Sequence, residues 1–454
     1  MSYRRVMVRD STAAVLRRTA LDRQRSGRVP GLHASVVRHG ELLWEGAIGT
    51  AEVGTERVPS REDQFLVASN TKTFVATMVM QLRDEGRLSL EDRLADHLPG
   101  LRHDVTVRDA LSHVSGLQRE PVGDVWVTLR HPDEEALLRE ADSAEALLRA
   151  GEQWHYSNLA FALLGQVVAR LDGRAWHESL RARLLEPLGM TRTSVGFDGG
   201  SRAHGYYVGP YDDVPRAEPV LDLAATGPAG ALASTATDLA RWTAFVADPD
   251  PDVLAPATMD EMTRPRAFVD AEGWQMGMGL GFFLLRSPGG RVLAGHTGGM
   301  PGHVTGVFTD RATGTAGVVL MNASTPGDPA GFAAALVDVV LDREPPEPEP
   351  WRPGTTVPDD LRPLLGRWWS EGRPWDFSVR QGQLEVRSPD WPADREPWTF
   401  ERVGPDVLRT TTGAERHEPL RVLRGPDGGV ESLRWATYRV TREPLGFGEE
   451  PSAG

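Results

Sequence analysis

The chain has 454 residues, 40% hydrophobic and 25% charged, so a packed protein of two or three domains is expected and disorder is not. It has no cysteine, which excludes disulfides, zinc–thiolate sites, iron–sulfur clusters and thiol nucleophiles. A net charge of −14 argues against nucleic-acid binding, because phosphate contacts need a basic surface.

At the N-terminus, Arg4-Arg5 is followed only by Val6-Met7-Val8 before Arg9. That apolar core is too short for an export signal, so the segment reads as the first helix of a cytoplasmic protein. No stretch approaches the ~20 apolar residues of a membrane span. Residues 30–55 read as a hairpin, with strands at Leu32–Val37 and Leu42–Glu45 and a turn at His39-Gly40. Residues 69–85 read as a helix stopped by Gly86, its apolar face formed by Phe74, Val75, Met78, Val79 and Leu82. A helix-rich stretch follows, with Thr106 and Ser157 as candidate N-caps. Strand signals return between about 280 and 323, and a helix follows from Pro329 to Leu341. Strands at both ends with helices between predict one sheet built from both ends, flanked by a helical insert.

Residues 342–354, rich in Pro and Glu, read as an extended linker. Beyond it, short alternating segments are separated by turns such as Arg380-Gln381-Gly382 and Gly425-Pro426-Asp427-Gly428. That texture predicts a small antiparallel barrel or sandwich over 355–445, with 446–454 as a tail. The six tryptophans Trp368, Trp369, Trp375, Trp391, Trp398 and Trp435 are expected to fill its core.

One compositional bias bears on chemistry. Of 50 basic residues, 49 are arginine; Lys72 is the sole lysine. Arginine stays charged at any relevant pH, so a retained lysine points to a need for an amine whose pKa can fall. Ser69 stands three residues before it, the spacing that puts two side chains on one helical face. A desolvated amine there can take the hydroxyl proton. The bland alternative is an N-cap serine followed by a surface lysine.

Two further motifs stand out. Tyr156-Ser157-Asn158 precedes a strong helix and can present a phenol and an amide to a cleft; alone it equally fits a packed tyrosine beside a cap. Gly295-His296-Thr297-Gly298-Gly299 follows a strand-like run. Its glycines allow close backbone approach to a substrate, or simply make a turn.

Ser-x-x-Lys, Tyr-x-Asn and His-Thr-Gly in this order resemble the serine hydrolases related to penicillin-binding proteins and class C β-lactamases. Asp109–Leu117, Leu185–Met190 and Gly227–Ala231 add to the resemblance, which spans about residues 30–340. The tail resembles the lipocalin-like barrel of some members. The resemblance implies an α/β domain over 1–341, an antiparallel sheet flanked by helices plus a helical subdomain, followed by a small all-β barrel. It implies Ser69 as acylated nucleophile and Lys72 as base, hydrogen-bonded to Tyr156. Tyr156 would relay protons, partly ionised beside the lysine, and which of the two acts as base stays open. Asn158 would orient Lys72 and the substrate. The N–H groups of Ser69 and Gly299 would form the oxyanion hole, with Thr297, Gly298 and Gly299 pairing with substrate. His296 stands where many relatives carry lysine, and neutral imidazole holds a carboxylate less strongly. His113 is expected to be structural.

The expected activity is hydrolysis or acyl transfer on small-molecule or peptide esters and amides, including peptides with D-residues. Neither cofactor nor metal is called for, and neither a nucleic-acid nor a membrane partner. Two alternatives stay open: a thioesterase-type cyclase of nonribosomal peptide pathways, and an inactive sensor or scaffold. The sequence fixes neither the acyl group nor the oligomeric state.

Overall fold

The computed structural model describes residues 7–325, 327–347, 350–354, 356–446 and 448–449. The Arg4-Arg5 reading, Pro348–Glu349 of the linker, Thr355 at the start of the barrel segment, and most of the 446–454 tail lie outside the described residues. The chain divides into two compact units, Met1–Pro346 and Glu347–Gly454.

The first unit opens with α1 (Asp10–Gly27), followed by the hairpin of β1 (Gly31–Arg38) and β2 (Glu41–Gly49). His39 and Gly40 make its turn with φ of 49° and 78°. Two long helices of the insert follow, α2 (Thr71–Asp84) and α3 (Asn158–Asp172). The sheet is then completed by β3 (Ala267–Phe268), β4 (Met276–Met278), β5 (Phe283–Arg286), β6 (Val292–Met300), β7 (His303–Asp310) and β8 (Thr315–Met321), and α4 (Pro329–Arg343) follows. Its order is β2-β1-β8-β7-β6-β5-β4-β3, antiparallel throughout. The late strand β8 lies against β1, with Ala34 opposite Val319, so both ends of the unit build one sheet.

Leu16 and Ala20 of α1 and Phe332, Leu336 and Val340 of α4 share one core. The helical body around α2 and α3 forms the other, with Phe74, Val75, Met78, Phe161 and Leu163. Every residue of β7 and β8 is buried; β8 accordingly reads as a near-continuous apolar run from Ala316 to Met321, whereas β7 keeps His303, Thr305, Thr309 and Asp310 among its buried residues. Helix α2 is buried at every position from Thr71 to Leu82, so it is a central helix and not one with a single apolar face. Thr106 and Ser157 cap their helices by accepting from the N–H groups of Asp109 and Ala160. Among the described residues, no helix is long and apolar enough to cross a membrane.

The second unit is an antiparallel meander of eight strands: β9 (Gly366–Ser370), β10 (Arg373–Arg380), β11 (Gln383–Arg387), β12 (Trp398–Gly404), β13 (Val407–Thr410), β14 (Pro419–Arg424), β15 (Val430–Trp435) and β16 (Tyr438–Val440). A bridge between Trp369 and Thr441 brings the first strand beside the last, so the sheet nearly closes into a barrel that fits a lipocalin-like domain. Trp368, Trp398 and Trp435 are buried inside it, with Trp375 and Trp391 packed against them; Trp369 is half-buried. The run Ser432–Val440 reads as one segment in the sequence but forms two strands. Ala436 turns the chain with φ 51°, and alanine gives no turn signal.

Candidate active site

Ser69 sits in a single 3₁₀ turn, Ala68–Asn70, immediately ahead of α2. Ala68 takes φ 48°, a left-handed conformation that L-residues adopt at a cost of about 1–2 kcal/mol. The surroundings hold it there. The Val67 carbonyl accepts from Asn70 Nδ2 at 3.0 Å and Thr305 Oγ1 at 3.2 Å, and the Val67 N–H donates to the Leu232 carbonyl at 2.8 Å. Thr71 Oγ1 donates to the Ala68 carbonyl at 2.6 Å. From the sheet side, β6 comes so close that a Cβ on Gly298 would lie 2.1 Å from the Val67 oxygen. Only glycine permits that approach.

Lys72, one turn into α2, is completely buried. Its Nζ lies 3.1 Å from Ser69 Oγ, 2.8 Å from Asn158 Oδ1 and 2.6 Å from the Ala229 carbonyl. Burial drives its pKa well below the ordinary lysine value; Glu120 opposes the drop and Arg119 adds to it. The expected Lys72–Tyr156 hydrogen bond is not formed. The polar partners of Nζ are the three oxygens just named, and Nζ stands 4.8 Å from the Tyr156 ring centroid.

Tyr156 leads into the cap of α3. Burial pushes its phenol pKa up, against a smaller downward effect of the hydrogen bond with Ser69. The phenol is therefore neutral and not partly ionised as expected beside a protonated lysine: the lysine is itself held toward the neutral form. His113 stacks on Tyr156 at 4.2 Å and its Nδ1 accepts from the Ser157 N–H at 3.1 Å. It thus props the turn that carries Tyr156 and Asn158. Burial keeps its imidazole neutral, as an accepting Nδ1 requires.

His296, on β6, is buried against Phe283, with ring centroids 4.4 Å apart. Burial, followed by the charge of Lys72, lowers its pKa to about 3. Nδ1 stands 2.5 Å from the Thr297 carbonyl, so Nδ1 carries the hydrogen and Nε2 is a bare acceptor. The ring is uncharged and cannot replace an ammonium in holding a carboxylate.

These groups meet in one cleft of about 550 Å³. Ser69, Tyr156, Asn158, His296, Thr297 and Gly299 line it; Lys72 is buried behind Ser69, and Gly298 is packed against the turn that carries Ser69. Trp126, Trp154 and Phe283 give it aromatic walls, and Arg119 and Glu120 a charged one. Sequence reasoning missed Glu120, whose Oε1 accepts from Asn158 Nδ2 at 2.7 Å, and Arg119, whose guanidinium lies 4.7 Å from the Tyr156 ring centroid. Both follow Ser115-Gly116-Leu117 after one intervening residue, Gln118, but nothing in their spacing marks them. The Ala229 carbonyl is a backbone group with no residue-type signal.

Residues 16–342 match the family model described as beta-lactamase. The chain belongs to the beta-lactamase family. Residues 357–442 match a separate model described as a domain of unknown function, DUF7586. A curated relative, Beta-lactamase-like protein 2 of Dictyostelium discoideum, is 30% identical over 248 residues, 51% of this chain and 45% of that protein. The chain thus spans about half the length of the curated relatives it matches. In structure, this beta-lactamase-family chain resembles the octameric penicillin-binding protein homologue from Pyrococcus abyssi. That likeness has a TM-score of 0.65 at 22% identity, covers 96% of this chain and all of the other, and establishes the fold. It also resembles a D-stereospecific amidohydrolase from Streptomyces sp., with a TM-score of 0.59 at 25% identity over 74% of this chain and 98% of the other.

Proposed function

We propose that the protein is a serine hydrolase that forms an acyl-enzyme on Ser69 and hydrolyses esters or amides, including D-residue peptides. The observation that carries this reading is the valence count at Lys72. A neutral amine has two N–H bonds and one lone pair. Two carbonyl-type oxygens, Asn158 Oδ1 and the Ala229 carbonyl, can only accept, so they take the two N–H bonds. Burial favours that neutral form, and in it the lone pair is left for the third neighbour, Ser69 Oγ at 3.1 Å, to which an ammonium would instead donate.

In the proposed reaction Lys72 takes the Ser69 proton as Oγ bonds to the substrate carbonyl carbon. The carbonyl oxygen becomes an oxyanion held by the N–H groups of Ser69 and Gly299. The tetrahedral species collapses, the C–N or C–O bond breaks, and the leaving group departs with the proton from Lys72 relayed by Tyr156. Water then attacks the acyl-enzyme with Tyr156 and Lys72 taking its proton, and Ser69 recovers its own. Asn158 orients Lys72. The likeness to the D-stereospecific amidohydrolase supports an amide substrate with a D-residue. Most of the tryptophans pack inside the barrel and so lend the cyclase alternative no support.

The test is intact-protein mass after incubation with a fluorophosphonate, and turnover of a D-amino-acid amide and a p-nitrophenyl ester. A single adduct in the wild type and none in Ser69→Ala, together with turnover, is the expected result. Equal labelling of Ser69→Ala would move the nucleophile elsewhere. No adduct and no turnover in a folded wild type would favour a scaffold.

A further inference from the structure

We propose that Glu120 is a positioning residue: its carboxylate fixes the orientation of the Asn158 amide, and through it aims the lone pair of Lys72 at Ser69. The inference rests on the acyl-enzyme reading of the same site and extends it to a residue outside the three motifs.

A carboxylate accepts hydrogen bonds and donates none, whereas an amide does both. Glu120 Oε1, 2.7 Å from the Asn158 amide, therefore selects its NH₂ end. The oxygen end is then turned to Lys72, 2.8 Å away. With the amide reversed, Nδ2 would face Nζ and one acceptor for the lysine N–H groups would disappear. The freed N–H would turn toward Ser69, or the lone pair toward Asn158. Either way Ser69 loses its base. A glutamine at position 120 could present either end, so only the acid settles the orientation.

Two observations beyond that hydrogen bond point the same way. Glu120 Oε2 is buried with no hydrogen-bond partner, an unfavourable state for a carboxylate oxygen. The hydrogen bond from Asn158 is thus the one that the Glu120 carboxylate accepts. The second is the charge. Lys72 is surrounded by Tyr156, His113, His296, Arg119 and Glu120, and the acid among these is Glu120. Its negative charge favours the ammonium that forms when Ser69 is deprotonated, while Arg119, 3.6 Å from Glu120 Oε1, opposes it. Removing the charge of Glu120 lowers the pKa of Lys72, so the amine stays neutral to lower pH. The acid limb of the acylation rate then moves to lower pH. Removing the charge of Arg119 moves it to higher pH.

The experiment is the second-order rate of Ser69 labelling by a fluorophosphonate, followed by mass across the acid and neutral range. It compares the wild type, Glu120→Gln, Glu120→Ala, Arg119→Gln and Ser69→Ala. Glu120→Gln can still accept from Asn158 but can also present its NH₂ end, so its plateau rate is expected to fall about two- to ten-fold, less than that of Glu120→Ala. Glu120→Ala leaves the Asn158 NH₂ without its acceptor, and its plateau is expected to fall about ten- to a hundred-fold. Both Glu120 variants should shift the acid limb down and Arg119→Gln should shift it up, opposite signs that general loosening of the fold would not produce. A Glu120→Ala plateau equal to wild type with an unmoved acid limb overturns the inference while leaving the acyl-enzyme reading intact. A wild type that is not labelled, or is labelled no faster than Ser69→Ala, overturns that reading and the inference with it.

Discussion

Replacing Lys72 with methionine tests the central electrostatic claim without measuring catalysis. Methionine has an unbranched chain of similar length and does not titrate. In the unfolded chain Lys72 has the ordinary pKa of 10.5; in the folded chain burial holds it well below that. Between the two values the unfolded state binds one proton more than the native state, so native stability rises with pH. The slope for one proton is about 1.4 kcal/mol per pH unit. The wild type should therefore gain stability relative to Lys72→Met as pH rises toward 10.5, with that slope as the upper limit. Methionine also leaves Asn158 Oδ1 and the Ala229 carbonyl without their donor, which costs about 1–3 kcal/mol each. That cost does not vary with pH, and titrations shared by both proteins cancel in the difference. The slope alone is diagnostic. Urea unfolding of the catalytic unit at three pH values below 10.5, followed by circular dichroism, gives it directly. Parallel stability profiles would mean that Lys72 is protonated in the folded protein, and would refute the neutral-base argument.

Gly298→Ala places a methyl 2.1 Å from the Val67 oxygen and 2.6 Å from Thr305 Oγ1, whereas a Cβ on Gly299 meets nothing within 4 Å. The first should lose about 1–3 kcal/mol by displacing the turn that carries Ser69, and the second should unfold like wild type. Equal midpoints in urea for the two variants would contradict the close packing of β6 on that turn. With the His296 pKa at about 3, no imidazole titration should shape the labelling rate in the neutral range. His296→Gln should leave the form of that profile unchanged; a limb near the ordinary histidine pKa that vanishes in the variant would show that His296 is charged in the folded site.

What the sequence made legible follows from residue type and order. A single lysine with a serine three residues before it needs no structure to be noticed. Thr106 and Ser157 could be read as caps because capping is a local matter of one oxygen and the N–H groups beyond it. The sheet could be inferred from strand texture at both ends of the unit. What stayed hidden depends on burial and on contacts between distant segments. Glu120 and Asn158 are 38 residues apart, and no period links them. Tyr156 could be placed near Lys72 from the order of motifs. Its ionisation could not, because the desolvation that keeps it neutral belongs to the packed His113 and Phe283 around it, against the charge of Arg119. The turn at Ala436 was invisible because tertiary packing, not a glycine or asparagine, sets its positive φ.

The same desolvation explains why arginine, which serves at 49 other positions, cannot serve at position 72. Arg83 in the same helix is half-buried and sits between Asp84 and Glu261, so its charge is answered by carboxylates. Lys72 touches no carboxylate; Glu120 reaches it only through the Asn158 amide. A guanidinium there would stay charged in a site that offers only neutral oxygens, a strongly unfavourable state. An amine escapes by giving up its proton. Lys72, Tyr156, His113 and His296 are all pushed by burial toward their neutral forms, in a cleft walled on one side by Arg119 and Glu120. In the proposed reaction a new charge pair appears when the Ser69 proton reaches Lys72. The oxygens that will hold the ammonium, Asn158 Oδ1 and the Ala229 carbonyl, are already in place at 2.8 Å and 2.6 Å. Little reorganisation is then needed at the moment of proton transfer, and that is how a base of ordinary chemistry becomes useful in a dry cleft.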